Sequence, residues 1–359
     1  MIQNHPLIRL LHTPVDAVES LSPCEWTIAI RAARQGHLLG RLGYLLGELE
    51  ASTILPEQVR NHIESANRVA DSQHRNVRWE IEEIHQALNG KNIPFAILKG
   101  GAYIAMGYDA ARGRTLSDVD ILVPYARIVE AERALIDSGW FPGKLNPYDQ
   151  RYYRTWMHEL PPMRHLQRGT TLDVHHTIIP PTAAIKPDVN QLWAEAKPLA
   201  PYRDVFVLSP VDMILHSATH LFHDGEMEHG LRDLIDMDSL INEFSRHENF
   251  WPKLLERAAL LNLTRPLYYA LQCRSHFIGA TTPEKILDSL GTQREFESPL
   301  TQWVLRQLIM TIGSILNEYP TTGIQFAKFM IFVRSHYLRM PMHLLAPHLL
   351  RKMLVPKAE

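Results

Sequence analysis

Two aspartates stand inside an apolar run in the middle of the chain, and this pair limits how the run can fold. Asp118 and Asp120 alternate with Val119, Ile121 and Val123. Such alternation predicts a β-strand, on which side chains two positions apart share a face. Two carboxylates on one face of an apolar strand repel each other and lose hydration. A hard divalent cation relieves both effects, because Mg²⁺ prefers one or two carboxylates together with phosphate oxygens. The pair therefore predicts a strand that carries a metal site.

A shorter strand and a glycine turn precede the aspartates. Residues 93–98 form an apolar run that ends at Lys99-Gly100-Gly101, which indicates a buried strand entering a tight turn. A short helix is expected over residues 102–106. Glycines in such a turn let the backbone approach a phosphate, and the N–H groups at a helix start attract anions. The order strand, turn, helix, loop, strand is more specific than either motif alone.

A third acidic residue lies on a later predicted strand. Residues 170–176 have the composition of a strand and follow a turn that contains Gly169. If they form a strand, Asp173 shares a face with Thr171 and His175. Asp173 is therefore a candidate to join the first two aspartates.

The chain divides into three regions that differ in the spacing of their apolar residues. Residues 1–90 have apolar side chains at three- and four-residue intervals, which predicts helices. Residues 91–205 mix strands and helices, and residues 206–359 return to the helical period. Helices are predicted at about 125–138, 210–223, 230–247, 250–261, 265–278, 298–317 and 323–338, and further strands around 152–159 and 162–166.

Composition narrows the class of protein. The 359 residues carry a formal net charge of −2 and 45% hydrophobic residues, which is typical of a soluble globular protein. The near-neutral charge argues against binding nucleic acid by bulk electrostatics, so no DNA partner is expected. Cys24 and Cys273 form neither a disulfide framework nor a zinc spacing. The first residues do not have the pattern of a secretory signal, and no apolar run approaches membrane-spanning length. A cytoplasmic location is predicted.

The motifs together resemble a known family. The stretch LKGGAYIAMGY…RGRTLSDVDILV is similar to the nucleotidyltransferase superfamily with the DNA polymerase β-like fold. The nearest likeness is to a bacterial branch that reads Leu-Lys-Gly, then Arg, Asp-x-Asp and Asp-x-His. The corresponding residues are Leu98-Lys99-Gly100, Arg114, Asp118-Val119-Asp120 and Asp173-Val174-His175. The resemblance covers residues 80–245, including HGLRDLIDMDSLI. It departs from the general pattern at Gly101, where a serine is usual, and in the long gap before Asp118.

The resemblance implies a fold and a reaction. The expected fold is α+β, a nucleotidyltransferase-like mixed sheet with helices, flanked by N-terminal and C-terminal helical regions. The expected reaction is two-metal transfer of a nucleoside monophosphate from a nucleoside triphosphate to an acceptor, with release of pyrophosphate. Mg²⁺ or Mn²⁺ would be held by three catalytic aspartates, namely Asp118, Asp120 and Asp173. The nucleotide would be bound by Lys99, Gly100, Gly101, Arg112 and Arg114, and candidate substrate contacts are His175, Arg232 and Asp233. The acceptor is unidentified: a small molecule, a sugar or lipid-linked glycan precursor, a protein side chain or an RNA end.

Other interpretations remain open for the C-terminal half. His216, His220 and His223 share one helix face, with Asp224 and His229 following. One interpretation is the metal site of a His/Asp phosphohydrolase centred on residues 216–229. The interpretation that we favour is a set of polar residues that packs the helical region against the catalytic core. A non-catalytic nucleotide-binding or interaction protein is a third alternative. The apolar and basic stretch 323–354 could contact a membrane surface peripherally, but a terminal helix docked on the core is preferred.

Overall fold

One mixed β-sheet forms the middle of the molecule. The structure is a computed structural model that describes residues 2–48, 55–225, 227, 229–291 and 296–354. Within these ranges the strands are β1 Phe95–Ile97, β2 Asp118–Leu122, β3 Trp140–Pro142, β4 Met163–His165, β5 Thr171–His175, β6 Lys197–Pro198 and β7 Val205–Val207. Their order across the sheet is β3-β4-β5-β2-β1-β7-β6.

The centre of the sheet brings the two aspartate strands together. Strand β2 pairs in parallel with β5, and the register sets Asp118 opposite Thr171 and Asp120 opposite Asp173. Partners in register project to the same side of a sheet, so the three carboxylates share one face. On the other side of β2 lies β1, which runs antiparallel to it.

Within the described residues, five α-helices precede the sheet. They are α1 Pro6–His12, α2 Pro14–Ser20, α3 Pro23–Gln35, α4 Leu39–Glu48 and α5 Glu57–Asn89. Helix α3 begins where Ser22 and Glu25 form a capping box around Pro23. Helix α5 buries one apolar stripe, including Ile63, Ile81 and Leu88, and packs on the helix that follows β2 and on the sheet. Helix α5, which also packs against α4, therefore joins the N-terminal helices to the central sheet.

Helices between and after the strands complete the fold. Those within the sheet region are α6 Lys99–Met106, α7 Ile128–Asp137, α8 Pro147–Trp156 and α9 Val189–Glu195. The C-terminal ones are α10 Pro210–Thr219, α11 Gly230–Phe244, α12 Phe250–Leu260, α13 Thr264–Ile278, α14 Glu284–Gly291, α15 Pro299–Ile312, α16 Thr322–Arg339 and α17 Met342–Leu354. Short 3₁₀ helices lie at Ile2–Asn4, Asp109–Ala111, Tyr125–Arg127 and Gly313–Leu316, and a π-helical turn, His220–Asp224, extends α10.

The predicted fold class is confirmed, with corrections to individual elements. The strand expected around residues 152–159 is wrong, because Asn146 caps a helix there and Pro147 opens it. The strand expected at 162–166 is present as β4. Strands β3, β6 and β7 were not predicted, and β7 crosses the boundary predicted between residues 205 and 206.

Helix α16 is docked on one side and exposed on the other. Ile324, Ala327 and Ile331 are buried, whereas Phe329 and Tyr337 are exposed by 59% and 61%. The helix contacts α15 and the π-helical turn, which agrees with the preferred interpretation of a docked terminal helix. Among the helices of the described ranges, none combines the length and apolar character that a membrane crossing requires.

Candidate active site

A cavity of about 540 Å³ lies over the aspartate face of β2 and β5. Asp118 and Asp173 are half-buried in its wall, and Asp120 is buried at its base. The main polar lining residues are Lys99, Arg114, Asp118, Asp120, His158, Glu159, Asp173, His175, His220, His229, Arg232, Asp233 and Arg339. The structure thus brings the three predicted catalytic aspartates into one cavity.

Asp120 is held by two side chains that also line the cavity. Lys99 Nζ donates to Asp120 Oδ1 at 2.8 Å, and His175 Nε2 lies 3.0 Å from the same oxygen. Burial raises the pKa of Asp120, but the Lys99 ammonium and the His175 hydrogen bond outweigh burial and hold that pKa well below its usual range. Asp120 is therefore ionised at neutral pH. Burial also disfavours the charged form of His175, and because that form is the protonated one, burial lowers the pKa of the ring.

Lys99 reaches Asp120 from an uncommon backbone conformation. Its φ is 47°, in the left-handed region that few residues other than glycine adopt. Such residues carry strain of about 1–3 kcal/mol and cluster at functional sites. The backbone next to Lys99 is fixed by the Leu98 N–H, which donates to the Asp120 carbonyl at 2.9 Å. The turn is therefore anchored to β2 through both main chain and side chain.

The two glycines of the turn have packing functions in this structure. A Cβ on Gly100 would overlap the Arg114 guanidinium, and a Cβ on Gly101 would lie 3.0 Å from Ile97 Cγ2. Gly100 lines the cavity, so the predicted phosphate contact remains compatible with its position. Gly101 is buried inside α6, against β1. The absence of a side chain at position 100 is explained by Arg114.

Arg114, in the loop that precedes β2, forms ion pairs with carboxylates of α11. Its Nε lies 2.6 Å from Asp236 Oδ2, and its Nη2 lies 3.9 Å from Asp233 Oδ1. Burial works against the charged guanidinium, yet Asp236 and Asp233 outweigh it and raise the pKa of Arg114. Asp233 also accepts from Arg232 Nη2 at 2.7 Å. These four residues form a buried chain of charges in which each arginine is compensated by a carboxylate.

Arg112 lies outside the cavity. It is exposed, and it pairs with Glu48 and Asp109 at 3.0 Å each. The other predicted nucleotide and substrate contacts do lie near the aspartates: Lys99, Gly100, Arg114, His175, Arg232 and Asp233 all line the cavity.

Among the cavity residues that were not foreseen from the sequence, His158 and Glu159 contact His175. His158 and Glu159 follow α8 and approach β5, where Glu159 forms a β-bridge with His175. Glu159 Oε2 lies 3.5 Å from His175 Nδ1, and the rings of His158 and His175 stack with centroids 5.2 Å apart. One potential ligand atom from each of the three residues lies within 4.8 Å of the others. Sequence order gives no sign of this contact, because β4 and the turn into β5 lie between Glu159 and His175.

The histidines predicted to share one helix face lie on α10 (His216) and on the π-helical turn that extends it (His220 and His223), and His229 precedes α11. His220 and His229 line the cavity, whereas His216 and His223 are buried. Burial, and after it the positive charge of Lys99, lower the pKa of His216 well below its ordinary value. The side chain of Asp224 is outside the described residues. Among the side chains that are described, the three-ligand group is His158, Glu159 and His175, and it does not include the histidines of α10 and its π-helical turn.

Comparison with known proteins identifies one family. A family model described as an uncharacterised nucleotidyltransferase matches residues 22–279, well over half of the chain. No curated protein and no solved structure matches the chain. The matched segment contains β1 to β7, helices α10 and α11, and the cavity residues from Lys99 to Asp233.

Proposed function

Because the chain belongs to this uncharacterised nucleotidyltransferase family, we propose that it transfers a nucleoside monophosphate from a nucleoside triphosphate to an acceptor. Pyrophosphate is the second product. The observation that supports the proposal best is the register of β2 with β5, which sets Asp120 beside Asp173, with Asp118 on the same face. The cavity above them is large enough for a small substrate.

The donor set fits Mg²⁺ or Mn²⁺. Three carboxylates on one face supply the oxygen ligands that hard cations prefer, and Asp118 and Asp173 are partly open to the cavity. A bound cation would neutralise triphosphate charge and lower the pKa of an acceptor hydroxyl. We assign cation binding to Asp118, Asp120 and Asp173, as the sequence predicts.

Lys99 is the best-placed phosphate contact. Its ammonium already lies at the cavity, bound to Asp120 at 2.8 Å. When a cation neutralises Asp120, the attraction between Asp120 and Lys99 weakens, and the ammonium becomes available to a phosphate oxygen. We expect Arg114 to position the cavity wall instead, because Asp236 and Asp233 compensate its charge. Arg112 is left out of the proposed site because it lies outside the cavity.

Calorimetry with each of the four common nucleoside triphosphates and Mg²⁺ tests the proposal. Asp118→Asn is the sharpest variant, because the Asp118 carboxylate accepts from Ser117 and supports no buried ion pair among the contacts described. We expect at least tenfold weaker Mg²⁺-dependent binding, which corresponds to about 1.4 kcal/mol. Asp109→Asn is the matched control, since Asp109 pairs with Arg112 outside the cavity.

Two outcomes decide the matter. Metal-dependent binding that Asp118→Asn weakens and Asp109→Asn retains supports the site, and pyrophosphate release in an acceptor screen would then identify the reaction. A wild-type protein that binds no nucleoside triphosphate with Mg²⁺ or Mn²⁺ contradicts the proposal. The predicted cytoplasmic location remains part of the proposal, and so does the absence of a DNA partner, which the net charge of −2 supports.

A further inference from the structure

We propose that the cavity also binds a transition metal ion, through His158, Glu159 and His175. This ion is additional to the Mg²⁺ or Mn²⁺ assigned to the aspartates. It belongs to the borderline class that accepts imidazole nitrogen together with carboxylate oxygen, such as Zn²⁺ or Co²⁺.

The spacing of the three side chains fits such an ion. Two ligands about 2.1 Å from a tetrahedral ion are about 3.4 Å apart, and Glu159 Oε2 lies 3.5 Å from His175 Nδ1. The third ligand atom, on His158, lies within 4.8 Å of both, and the His158 ring has to turn out of its stack on His175 to complete the set. Two histidines and one glutamate leave a further coordination position for water or substrate.

Asp120 orients His175 for this purpose. Asp120 Oδ1, which accepts from Lys99, also lies 3.0 Å from His175 Nε2, and a carboxylate oxygen accepts the hydrogen of a ring nitrogen. The other ring nitrogen, Nδ1, is buried, has no hydrogen-bond partner among the described residues and lies 3.5 Å from Glu159 Oε2. A cation between Nδ1 and Oε2 would bind both atoms. A histidine that donates its other ring nitrogen to a carboxylate is the common arrangement around protein-bound metals.

Ligand chemistry separates this site from the aspartate site. Mg²⁺ favours oxygen ligands and retains water, whereas His158 and His175, exposed by 8% and 2%, offer buried imidazoles. An ion at this position would lower the pKa of a bound water or hydroxyl group. That catalytic use rests on the proposed function, but the binding of the ion does not.

Metal loading of the full-length protein without nucleotide tests the inference. After removal of metals with a chelator, Co²⁺ is titrated in and its visible absorption is recorded, and Zn²⁺ content is measured after dialysis. We expect one tightly bound ion per chain, with at least tenfold weaker binding in Glu159→Gln and in His158→Ala. Glu159→Gln keeps the size of a half-buried side chain, so it serves if His158→Ala does not fold.

Two controls separate this inference from the proposed function. His176→Ala removes a histidine adjacent to His175 whose Nε2 contacts the Met157 carbonyl at 3.2 Å, and Co²⁺ binding should be retained. Asp118→Asn should also retain Co²⁺ binding while it loses Mg²⁺-dependent nucleotide binding. Wild-type protein that takes up no more Co²⁺ or Zn²⁺ than Glu159→Gln overturns the inference, whatever the nucleotide experiment gives. Conversely, Co²⁺ binding at these ligands without any nucleotide binding supports it and contradicts the proposed function alone.

Discussion

Gly100→Ala tests directly how the cavity wall is built. A Cβ at position 100 would overlap Arg114 Nη1, and it would lie 2.5 Å from Arg114 Cζ and 2.7 Å from Leu116 Cδ2. The leucine can rotate, but the guanidinium is held by Asp236 at 2.6 Å. The substitution therefore has to displace Arg114 from its carboxylate partners.

The size of the effect follows from burial. Arg114 and Asp236 are exposed by 9% and 6%, and breaking a buried ion pair destabilises by about 3–5 kcal/mol. Alanine is favoured over glycine inside a helix by about 1 kcal/mol, which offsets part of the loss. We expect the free energy of unfolding to fall by about 2–4 kcal/mol. A glycine that serves only as a phosphate contact would instead leave stability unchanged and weaken nucleotide binding.

Urea unfolding of a double-mutant cycle measures the predicted clash. Gly100→Ala is compared in the wild type and in Arg114→Ala, where we expect its destabilisation to shrink to less than about 1 kcal/mol. Gly47→Ala is the control, because a Cβ on that glycine of α4 meets no atom of the described residues within 4 Å, and it should stabilise by about 0.5–1 kcal/mol. If Gly100→Ala destabilises both backgrounds equally, the clash with Arg114 is not the reason for glycine at this position.

Two further substitutions test the charges around Asp120. Lys99→Met removes the ammonium 2.8 Å from Asp120 and therefore raises the pKa of that carboxyl. As the pH is lowered, Mg²⁺-dependent nucleotide binding should be lost at a higher pH in the variant than in the wild type. Loss of binding at the same pH in both proteins would refute this. The pKa of His216 lies well below the ordinary histidine value of about 6.5, because burial disfavours the charged ring. The stability that the neutral His216 ring contributes is complete above about pH 6.5. It is lost as the pH falls, because His216 then binds a proton in the unfolded chain but not in the folded chain. Between pH 7.5 and 5.5 this loss reaches about 1.4 kcal/mol, and urea unfolding of His216→Gln should show a pH dependence weaker by that amount. An equal pH dependence in variant and wild type would mean that His216 is not the group responsible.

Local patterns were sufficient for the long elements and for the aspartate strands. The alternation of residues 118–122 has the period of a strand, and Ser209 with Pro210 marks the start of α10, where the Ser209 side chain accepts from the Asp212 N–H. Strand β7 has three residues and β6 has two, which is too short for a period to be recognised. They are strands because β7 pairs with β1 and β6 with β7, and a partner strand is not encoded locally.

The segment around residues 152–159, for which a strand was wrongly predicted, also carries a helical pattern. Tyr148, Tyr152 and Trp156 recur every fourth residue, which is the spacing of one helix face, and their rings are in contact in α8. The apolar and aromatic composition favoured a strand, whereas the period and the preceding Asn146-Pro147 favoured the helix that forms. The contact of Glu159 with His175 is different in kind. It depends on where the chain returns to the sheet after α8, so no local pattern could reveal it.

The two enzymatic interpretations of this sequence converge on one cavity. His220 and His229, from the segment considered for a phosphohydrolase, line the same space as Asp118 and Asp173. Location therefore cannot separate a transferase from a phosphohydrolase, and loss of activity on mutation of either group cannot do so. Ligand chemistry can, because carboxylate oxygens select Mg²⁺ together with a triphosphate, whereas imidazoles retain a transition metal without it. Metal specificity measured with and without nucleotide, in the wild type and in Glu159→Gln, which removes a ligand of the proposed transition-metal site, is thus the property that distinguishes which group of residues performs the chemistry.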